Sequence, residues 1–580
     1  MSDELPVLSV GNPVFEVLRQ KKEVYVDKSK YLPMLSEWGQ FIFCARPRRF
    51  GKSLTVSSLD AFYSGRIDLF KGLAVEEHIS SPAFVPRPVI SLDMSDAADS
   101  DSKEILKRNI MDILEDNAEH HQVSLRGADY ANALKYLLID VRKASGQKVV
   151  LLIDEYDSPV ISLAERDKLT FNAQLLADTR IVMRNFYREI KRASEFIELV
   201  FITGCTKFSR MGVFSSLNNL ADISLEEKFA AFMGYTQEEL ESYFAPFIDR
   251  AANKLGKSRE VLLKQIQEYY DGFSFDGKTN LYNPSSTIEF FKTSEFGDYW
   301  VDSGSGSFVK NFLKDKSLTV DQFQGMVVNK KFAKSPGEID ATSSHGFLYQ
   351  AGYLTLRAAT DTTFTLDFPN KEVRSALSAF FLENFFPDSD YIDRAERDLA
   401  GHLASGDVPG IAHVLKRLLH GICGSDHSDA NREFHDDSIE AAVRVTAGPA
   451  FPDDSVRSLS KSLAKILLGK KGESFYRSVL QAALWAAGAK TTPEKWENLG
   501  RLDLEVLFGQ ITYVIELKMS DNADGADAAV RAGMDQITKK DYGEASERPV
   551  LVSIAIGREE RNIVACLFEK DGRETAVEFD

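Results

Sequence analysis

Four short apolar runs, separated by long amphipathic segments, constrain the fold of this chain more than any other feature of its sequence. The runs cover residues 41–44, 88–93, 149–154 and 199–203. Short apolar runs are typical of strands buried on both faces, and the segments between them have the spacing of amphipathic helices. This repeated order of strand and helix predicts a parallel α/β sheet near the N-terminus.

Composition and length bound the remaining possibilities. The chain has 580 residues, 44% of them hydrophobic, a formal net charge of −17 and four cysteines. The apolar content excludes a disordered chain, and the length predicts several domains because one core seldom exceeds about 300 residues. The cysteines form no CxxC pair, and the sequence shows neither a secretory leader nor a run of roughly 18 apolar residues. We therefore expect a cytoplasmic protein with no membrane partner.

Changes of pattern along the chain predict four domains. Thr236 and the acidic residues after it form a strong helix start, which marks the beginning of the second domain. Farther on, helical patterns give way to the order helix, strand, strand, helix, strand. The predicted domains are a P-loop domain, a helical or winged-helix-like module, a helical connector and a C-terminal α/β domain, covering residues 1–225, 226–370, 371–469 and 470–580.

The first apolar run leads into a loop that suits phosphate binding. The candidate nucleotide-binding residues of this loop are Arg46, Pro47, Arg48, Arg49, Phe50, Gly51, Lys52 and Ser53. A strand, a glycine-containing loop and a helix form a P-loop, in which backbone N–H groups point at phosphate oxygens. Lys52 supplies charge for the outer phosphates, and the Ser53 hydroxyl can join the ligands of a magnesium ion. Arg46 stands where the common pattern has its first glycine.

The third apolar run ends in two carboxylates, Asp154 and Glu155. Paired with a P-loop, this is a Walker B pattern: we expect Asp154 to hold magnesium and Glu155 to activate an attacking water. The alternative is a buried strand capped by solvated acids. Thr203, at the end of the fourth run, is either a sensor of the terminal phosphate or a threonine that bonds a turn.

Three arginines, Arg48, Arg49 and Arg210, are each able to supply positive charge to a transition state. The sequence does not choose among them, and an exposed arginine is the ordinary alternative.

A second group of candidate residues lies near the end of the chain. Asp503 and the pair Glu516 and Lys518 fall in two successive strand-like runs, which predicts a hairpin. Alternate residues of a strand share a face, so Glu516 and Lys518 lie together and pairing brings Asp503 beside them. Two carboxylates suit magnesium or manganese, and the lysine can stabilise developing negative charge. Glu473, which begins a predicted helix, completes the metal shell. The alternative interpretation of the whole group is a charged hairpin that faces solvent.

Several motifs occur together in a recognisable order. They are YVDKSKYL, RPRRFGKSL, LIDEYDSPV, ITGCTKFSRMGVFSSLNNL, YDGFSF, LYNPSS, LYQAGYLTL and FPNKEV. From about residue 9 to 375, the chain resembles the bacterial AAA-ATPase-like family, in which an arginine at the first loop position is usual. Members of that family often carry a C-terminal PD-(D/E)XK nuclease domain, which residues 470–550 resemble. In that comparison Glu473 and Gln536 fill positions that the nuclease family often uses.

The resemblance implies an α/β fold with a P-loop parallel sheet, a helical or winged-helix-like middle and a C-terminal restriction-endonuclease-like domain. It also implies ATP with magnesium as cofactors and DNA as the substrate of a metal-dependent nuclease. We expect a nucleotide-gated nuclease that can form a homo-oligomer. Two alternatives remain: a nucleotide-dependent switch or scaffold whose C-terminal domain only binds DNA or a partner, and a stand-alone ATPase motor.

Overall fold

The structure is a computed structural model of the whole chain. It describes residues 5–127, 129–164, 172–207, 219–300, 309, 323–334, 344–358, 360, 362–383, 389–424, 473–497, 500–539 and 549–579. These described residues divide into two compact units, one up to residue 309 and from 323 to 373, the other from 374 onward. The first unit therefore includes most of the segments predicted as the first and second domains. The boundaries between the four predicted domains remain a prediction.

A parallel sheet organises the first unit. Its described strands are β1 Phe41–Ala45, β2 Val89–Asp93, β3 Val149–Asp154, β4 Ile197–Gly204 and β5 Ala221–Asp222. They lie in the order β2-β3-β4-β1-β5, and every pair is parallel. All residues of β1 and β3 are buried, because helices cover both faces of the sheet. The four apolar runs are thus the strands that the sequence predicts.

The helices around this sheet follow the predicted alternation with its strands. Their bounds are α1 Phe15–Gln20, α2 Tyr31–Trp38, α3 Lys52–Tyr63, α4 Glu76–Ile79, α5 Lys103–His120, α6 Tyr130–Ser145, α7 Ser158–Ala164 and α8 Ala173–Arg192. Helix α3 begins directly after the candidate phosphate loop, and α7 follows the Walker B carboxylates.

The middle of the chain is helical, as predicted, with a small antiparallel sheet in the order β6-β8-β7. The described elements are α9 Gln237–Tyr243, α10 Ala245–Leu255, α11 Arg259–Tyr270, α12 Pro284–Thr293, β6 Met326–Asn329, α13 Lys330–Lys334, α14 Ser344–Gln350, β7 Thr355–Ala358, β8 Thr363–Asp367 and α15 Lys371–Glu383. Thr236 caps α9 in a capping box with Glu239, so the predicted helix start is confirmed.

The second unit contains a mixed sheet in the order β14-β13-β12-β11-β10-β9. Its described elements are α16 Ser389–Ser405, α17 Val408–Gly424, α18 Glu473–Ala486, β9 Lys490–Glu497, β10 Gly500–Phe508, β11 Ile511–Ser520, α19 Ala526–Lys539, β12 Val550–Gly557, β13 Asn562–Lys570 and β14 Arg573–Ala576. Strands β11 and β12 are parallel, and the other neighbours are antiparallel. The predicted helix, hairpin, helix and strand are present, and β9, β13 and β14 extend the sheet.

Among the helices of the described residues, none combines the length and the apolarity that a membrane crossing requires.

Candidate active sites

The loop between β1 and α3 has the backbone shape of a phosphate cradle. Gly51, the residue before α3, has φ 85° and ψ 26°, and Arg49 also has a positive φ of 66°. A left-handed residue next to a helix start turns successive N–H groups toward one point. Only glycine adopts this conformation without strain, which explains Gly51.

Lys52 is held at the mouth of this loop by groups from two other strands. Its ammonium lies 3.3 Å from Oε1 of Glu155 and 3.0 Å from Sγ of Cys205. Burial favours the neutral amine, but the hydrogen bond to Cys205 and the negative charge of Glu155 outweigh it and raise the pKa of Lys52. Burial likewise disfavours the charged form of Glu155, yet the positive charge of Lys52 lowers the net pKa of that carboxyl. The two side chains therefore form an ion pair at neutral pH.

The predicted magnesium ligands Ser53 and Asp154 also lie together. Asp154 is buried at the end of β3, and burial raises its pKa to about 6, while a hydrogen bond from Ser53 opposes that rise. Its Oδ1 accepts from the backbone N–H of Glu155 at 2.9 Å. Glu155 itself has a positive φ of 46°, which turns the chain at the strand end. The hydroxyl and carboxylate pair offers two hard oxygen ligands beside Lys52.

A cavity of about 530 Å³ opens in front of this loop. That volume lies within the roughly 300–1,000 Å³ of small-molecule sites. Its lining residues fall within four segments of the first unit, 9–13, 24–32, 232–235 and 284–289. The remaining lining residues are Leu18, Arg48–Thr55, Ser58 and Glu155. The phosphate loop therefore faces a partly open cleft with room for a larger ligand than phosphate alone.

Arg46 and Pro47 do not line this cavity. The guanidinium of Arg46 is buried, with 1% of the residue exposed, and it donates to the carbonyl oxygens of Ala45, Ser224 and Phe229. It also lies 4.0 Å from the ring of Phe275. In this structure Arg46 ties the loop to the segment after β5 instead of facing a ligand.

Thr203 is fully buried, and its hydroxyl donates to the carbonyl of Cys44 on β1 at 2.7 Å. This is the alternative given above, a threonine that bonds the backbone at a strand end, and it leaves no hydroxyl proton for a phosphate. Of the candidate arginines, Arg48 and Arg49 line the cavity, and Arg49 bonds the carbonyl of Tyr299. Arg210 lies outside the described residues.

Two residues near Lys52 have no signal in the sequence. The thiol of Cys205 donates a hydrogen bond to the carboxylate of Glu155, and burial raises the pKa of that thiol to about 12. Asp157 accepts from the backbone and hydroxyl of Thr206 and fixes the end of β4. Neither belongs to a spacing pattern, although both follow apolar strands where functional side chains gather.

In the second unit, β10 and β11 form the predicted hairpin around Asp503. Its register runs from Phe508 opposite Ile511 to Leu504 opposite Ile515. At the next position, Oδ2 of Asp503 accepts the backbone N–H of Leu517 at 2.9 Å. The carboxylate of Asp503 thus takes the place of a backbone acceptor and is fixed against β11.

Glu516 and Lys518 share a face of β11, as the alternation predicts. The ammonium of Lys518 lies 2.7 Å from Oε1 of Glu516, while Oε2 of Glu516 is buried and accepts no hydrogen bond. Burial, followed by the negative charge of Asp503, raises the pKa of Glu516 to about 7. A buried carboxylate oxygen without a partner is costly unless a cation or donor satisfies it.

Helix α18 brings two charged side chains to the same place. Glu473 is its first residue, and burial together with the charge of Asp503 raises the pKa of this carboxyl. Arg477, one turn later, places its guanidinium 3.6 Å from Oδ1 of Asp503. The structure therefore pairs Arg477 with Asp503 and Lys518 with Glu516, and it places Glu473 within range of the charges of Asp503 and Lys518. Sequence analysis missed Arg477, although its spacing of four residues from Glu473 was a usable signal.

Helix α19 covers the sheet next to Lys518. A Cβ added at Gly533 would lie 2.1 Å from the hydroxyl of Ser553 and 3.3 Å from Cγ of Lys518. Ser553 is opposite Glu516 in the register of β11 and β12. Gln536 is half-buried on the same helix. The close approach of α19 to β12 at Gly533 covers this side of the site.

The carboxylates of the second unit fit a hard divalent cation in their chemistry. Two are buried, and Glu516 keeps one oxygen without a partner. Within the described ranges, however, no three His, Cys, Asp or Glu side chains are positioned as a ready-made metal site. Arg477 and Lys518 instead pair with Asp503 and Glu516.

The first unit thus has the fold and cradle of a P-loop nucleotide-binding domain, and the second carries a carboxylate and lysine site on a mixed sheet. Residues 9–214 match the family described as predicted AAA-ATPase, and residues 471–565 match the PD-(D/E)XK nuclease superfamily. Both matches confirm the resemblance expected from the motifs. An uncharacterized protein in the vnfD 5' region of Azotobacter chroococcum mcd 1 is 26% identical over 574 residues, which cover 97% of this chain and 99% of that protein.

Proposed function

We propose that this protein binds ATP with magnesium in its first unit and cleaves DNA with a divalent cation in its second unit. The observation that carries the proposal is the grouping of Glu473, Asp503, Glu516 and Lys518 in a segment that matches a nuclease superfamily. A domain retained only for binding has no need of that set.

In the first unit, the loop residues from Arg48 to Ser53 hold the phosphates. Lys52 exchanges its partner Glu155 for the outer phosphates, which releases the Glu155 carboxylate to orient a water. Ser53 and Asp154 hold the magnesium ion. Arg48, Arg49, or both, supply further positive charge from the cavity wall.

In the second unit, Asp503 and Glu516 are the principal metal ligands, and Glu473 completes the set. The bound ion supplies Lewis acidity toward a phosphodiester oxygen and toward a water. Glu516 holds the ammonium of Lys518 at 2.7 Å, which directs that charge toward the site instead of into solvent. Lys518 then stabilises the negative charge that develops on the phosphate during cleavage.

The control relation between the units is also part of the proposal: the nucleotide state of the first unit sets the activity of the second. The runner-up function is a nucleotide-dependent switch whose second unit holds DNA or a partner without cutting it. One observation favours it, namely that Asp503 and Glu516 already have cationic partners in this structure.

A cleavage assay tests both functions. Circular and linear DNA are incubated with the purified full chain, with and without Mg²⁺ and with and without ATP. Lys518→Ala is expected to lower the cleavage rate by about 100-fold or more. Lys539→Ala is its control, because this exposed lysine lies in the same unit and its loss changes the net charge equally.

The same assay separates the two units. Lys52→Ala is expected to abolish the effect of ATP on cleavage, whereas Lys71→Ala, an exposed lysine of the first unit, keeps it. A Lys52→Ala protein that cuts normally and still responds to ATP would refute the control relation. Wild-type protein that binds ATP and DNA but never cuts, with any divalent cation, would establish the switch instead.

A further inference from the structure

Arg477 is the most deeply buried cation near the candidate nuclease site that the proposed function does not use. Its side chain is 7% exposed, and its NH1 lies 3.6 Å from Oδ1 of Asp503, whose side chain is 11% exposed. An ion pair this far from solvent is screened little by salt or water. It is therefore a strong local constraint and not a surface contact.

Both oxygens of Asp503 are occupied by the protein itself. Oδ2 accepts from the backbone of Leu517 at 2.9 Å, and Oδ1 faces Arg477. A backbone N–H is neutral and can share its acceptor with a metal ion, because the carboxylate oxygen has a second lone pair. A guanidinium is a permanent charge, so it competes directly with any other cation for Oδ1.

The charges of the whole group support such a competition. Three carboxylates, Glu473, Asp503 and Glu516, lie within range of the charges of Arg477 and Lys518, and Glu473 also within range of Arg558. Oε2 of Glu516 is buried and has no hydrogen-bond partner. A divalent ion that takes this oxygen and also uses Asp503 must lie close to Arg477.

We propose that Arg477 is the built-in counter-ion of Asp503 and that a divalent cation has to displace its guanidinium to bind. Arg477 is thus a positioning residue that lowers metal affinity and keeps Asp503 neutralised in the metal-free protein. This inference rests on the proposed metal site. It adds to that site a competitor that is not among the predicted ligands.

The test is the affinity of the full chain for Mn²⁺ alone, measured by calorimetry without nucleotide or DNA. Asp503→Asn identifies the relevant site, because the binding that it removes belongs to the second unit. Arg477→Gln removes the competing charge and is expected to lower the Kd of that site about tenfold, while Arg477→Lys keeps the charge and stays within about threefold of wild type. Arg417→Gln, which breaks the exposed pair of Arg417 with Asp398, is the matched control and leaves the Kd unchanged.

The opposite sign overturns the inference. If Arg477 merely holds Asp503 in place for the metal, Arg477→Gln weakens Mn²⁺ binding by about 10- to 100-fold, as loss of a supporting partner does. Arg477→Met carries the same expectation as Arg477→Gln, so failure of one variant to fold leaves the other to decide. Absence of Asp503-dependent Mn²⁺ binding in the wild type refutes the proposed metal site itself, which is a different outcome.

Discussion

Replacing Arg46 by glycine, the residue that the common P-loop pattern has at this position, tests the structural role assigned to this arginine. Pattern matching alone predicts that Arg46→Gly is harmless or improves nucleotide binding. The structure predicts the reverse, because the Arg46 guanidinium is buried and faces away from the cavity. We expect Arg46→Gly to destabilise the first unit.

The magnitude follows from the contacts that are lost. Three carbonyl oxygens, of Ala45, Ser224 and Phe229, accept from Arg46 at 2.9, 2.9 and 3.1 Å. Hydrogen bonds to a charged group contribute about 1.5–3 kcal/mol each, and the contact with the ring of Phe275 about 2 kcal/mol. Removing the charge also removes its burial cost, which offsets part of this sum. Each carbonyl oxygen left without a donor costs about 1–3 kcal/mol, so the expected loss is about 3–5 kcal/mol.

Amide hydrogen exchange of the full chain is the suitable assay, since it reports each unit separately. At about 1.4 kcal/mol per factor of ten, peptides that cover β1 and residues 224–229 should exchange at least about 100-fold faster in Arg46→Gly. Peptides that cover β10 and β11 are the internal control. Exchange of β1 within about threefold of wild type would show that these contacts contribute little, and the structural role of Arg46 would be refuted.

Three further predictions concern pH and packing. Because burial raises the pKa of Asp154 to about 6, ionisation of this carboxyl destabilises the folded unit as pH rises from about 4 to 6. Asp154→Asn should therefore raise the unfolding free energy by about 1–3 kcal/mol at pH 8 but not at pH 4. Equal effects at the two pH values in denaturant titrations would contradict this prediction. Because the pKa of Glu516 is raised to about 7, a metal ion and a proton compete for this carboxylate. The affinity for Mn²⁺, measured by calorimetry, should therefore fall by up to about tenfold per pH unit below 7. In Glu516→Gln this affinity should be weak and nearly independent of pH. Gly533→Ala should lower the stability by about 1–3 kcal/mol because the added Cβ meets Ser553, whereas Gly401→Ala, in an open helical position, should raise it by up to about 1 kcal/mol. Thermal melting distinguishes the two variants, and equal shifts in melting temperature would contradict the close approach of the helix.

The fold of the first unit could be predicted because its signals are local. Each strand of the sheet except short β5 is an apolar run, and the glycine before Lys52 marks the turn into α3. The strand order could not be predicted in the same way. That β4 lies between β1 and β3 follows from packing across the whole sheet, which no single segment encodes.

The roles of individual polar residues were harder to predict. Arg46 and Thr203 stand in motif positions, but their bonds go to carbonyl oxygens of neighbouring segments, and only the folded structure determines such partners. Arg477 was missed because it belongs to no motif. Its role depends on its contact with Asp503, which lies on a strand distant in sequence. In contrast, Glu516 and Lys518 could be placed together because alternation along one strand decides their shared face.

The left-handed backbone of Glu155 has a consequence for how this position can vary. A non-glycine residue with φ 46° is strained by about 1 kcal/mol, and β-branched residues suffer most. In a saturation library at this codon, selection for folding should enrich glycine and asparagine, while selection for water activation should retain glutamate alone. The two screens should therefore favour different residues, which would make this position a local compromise between stability and the proposed chemistry.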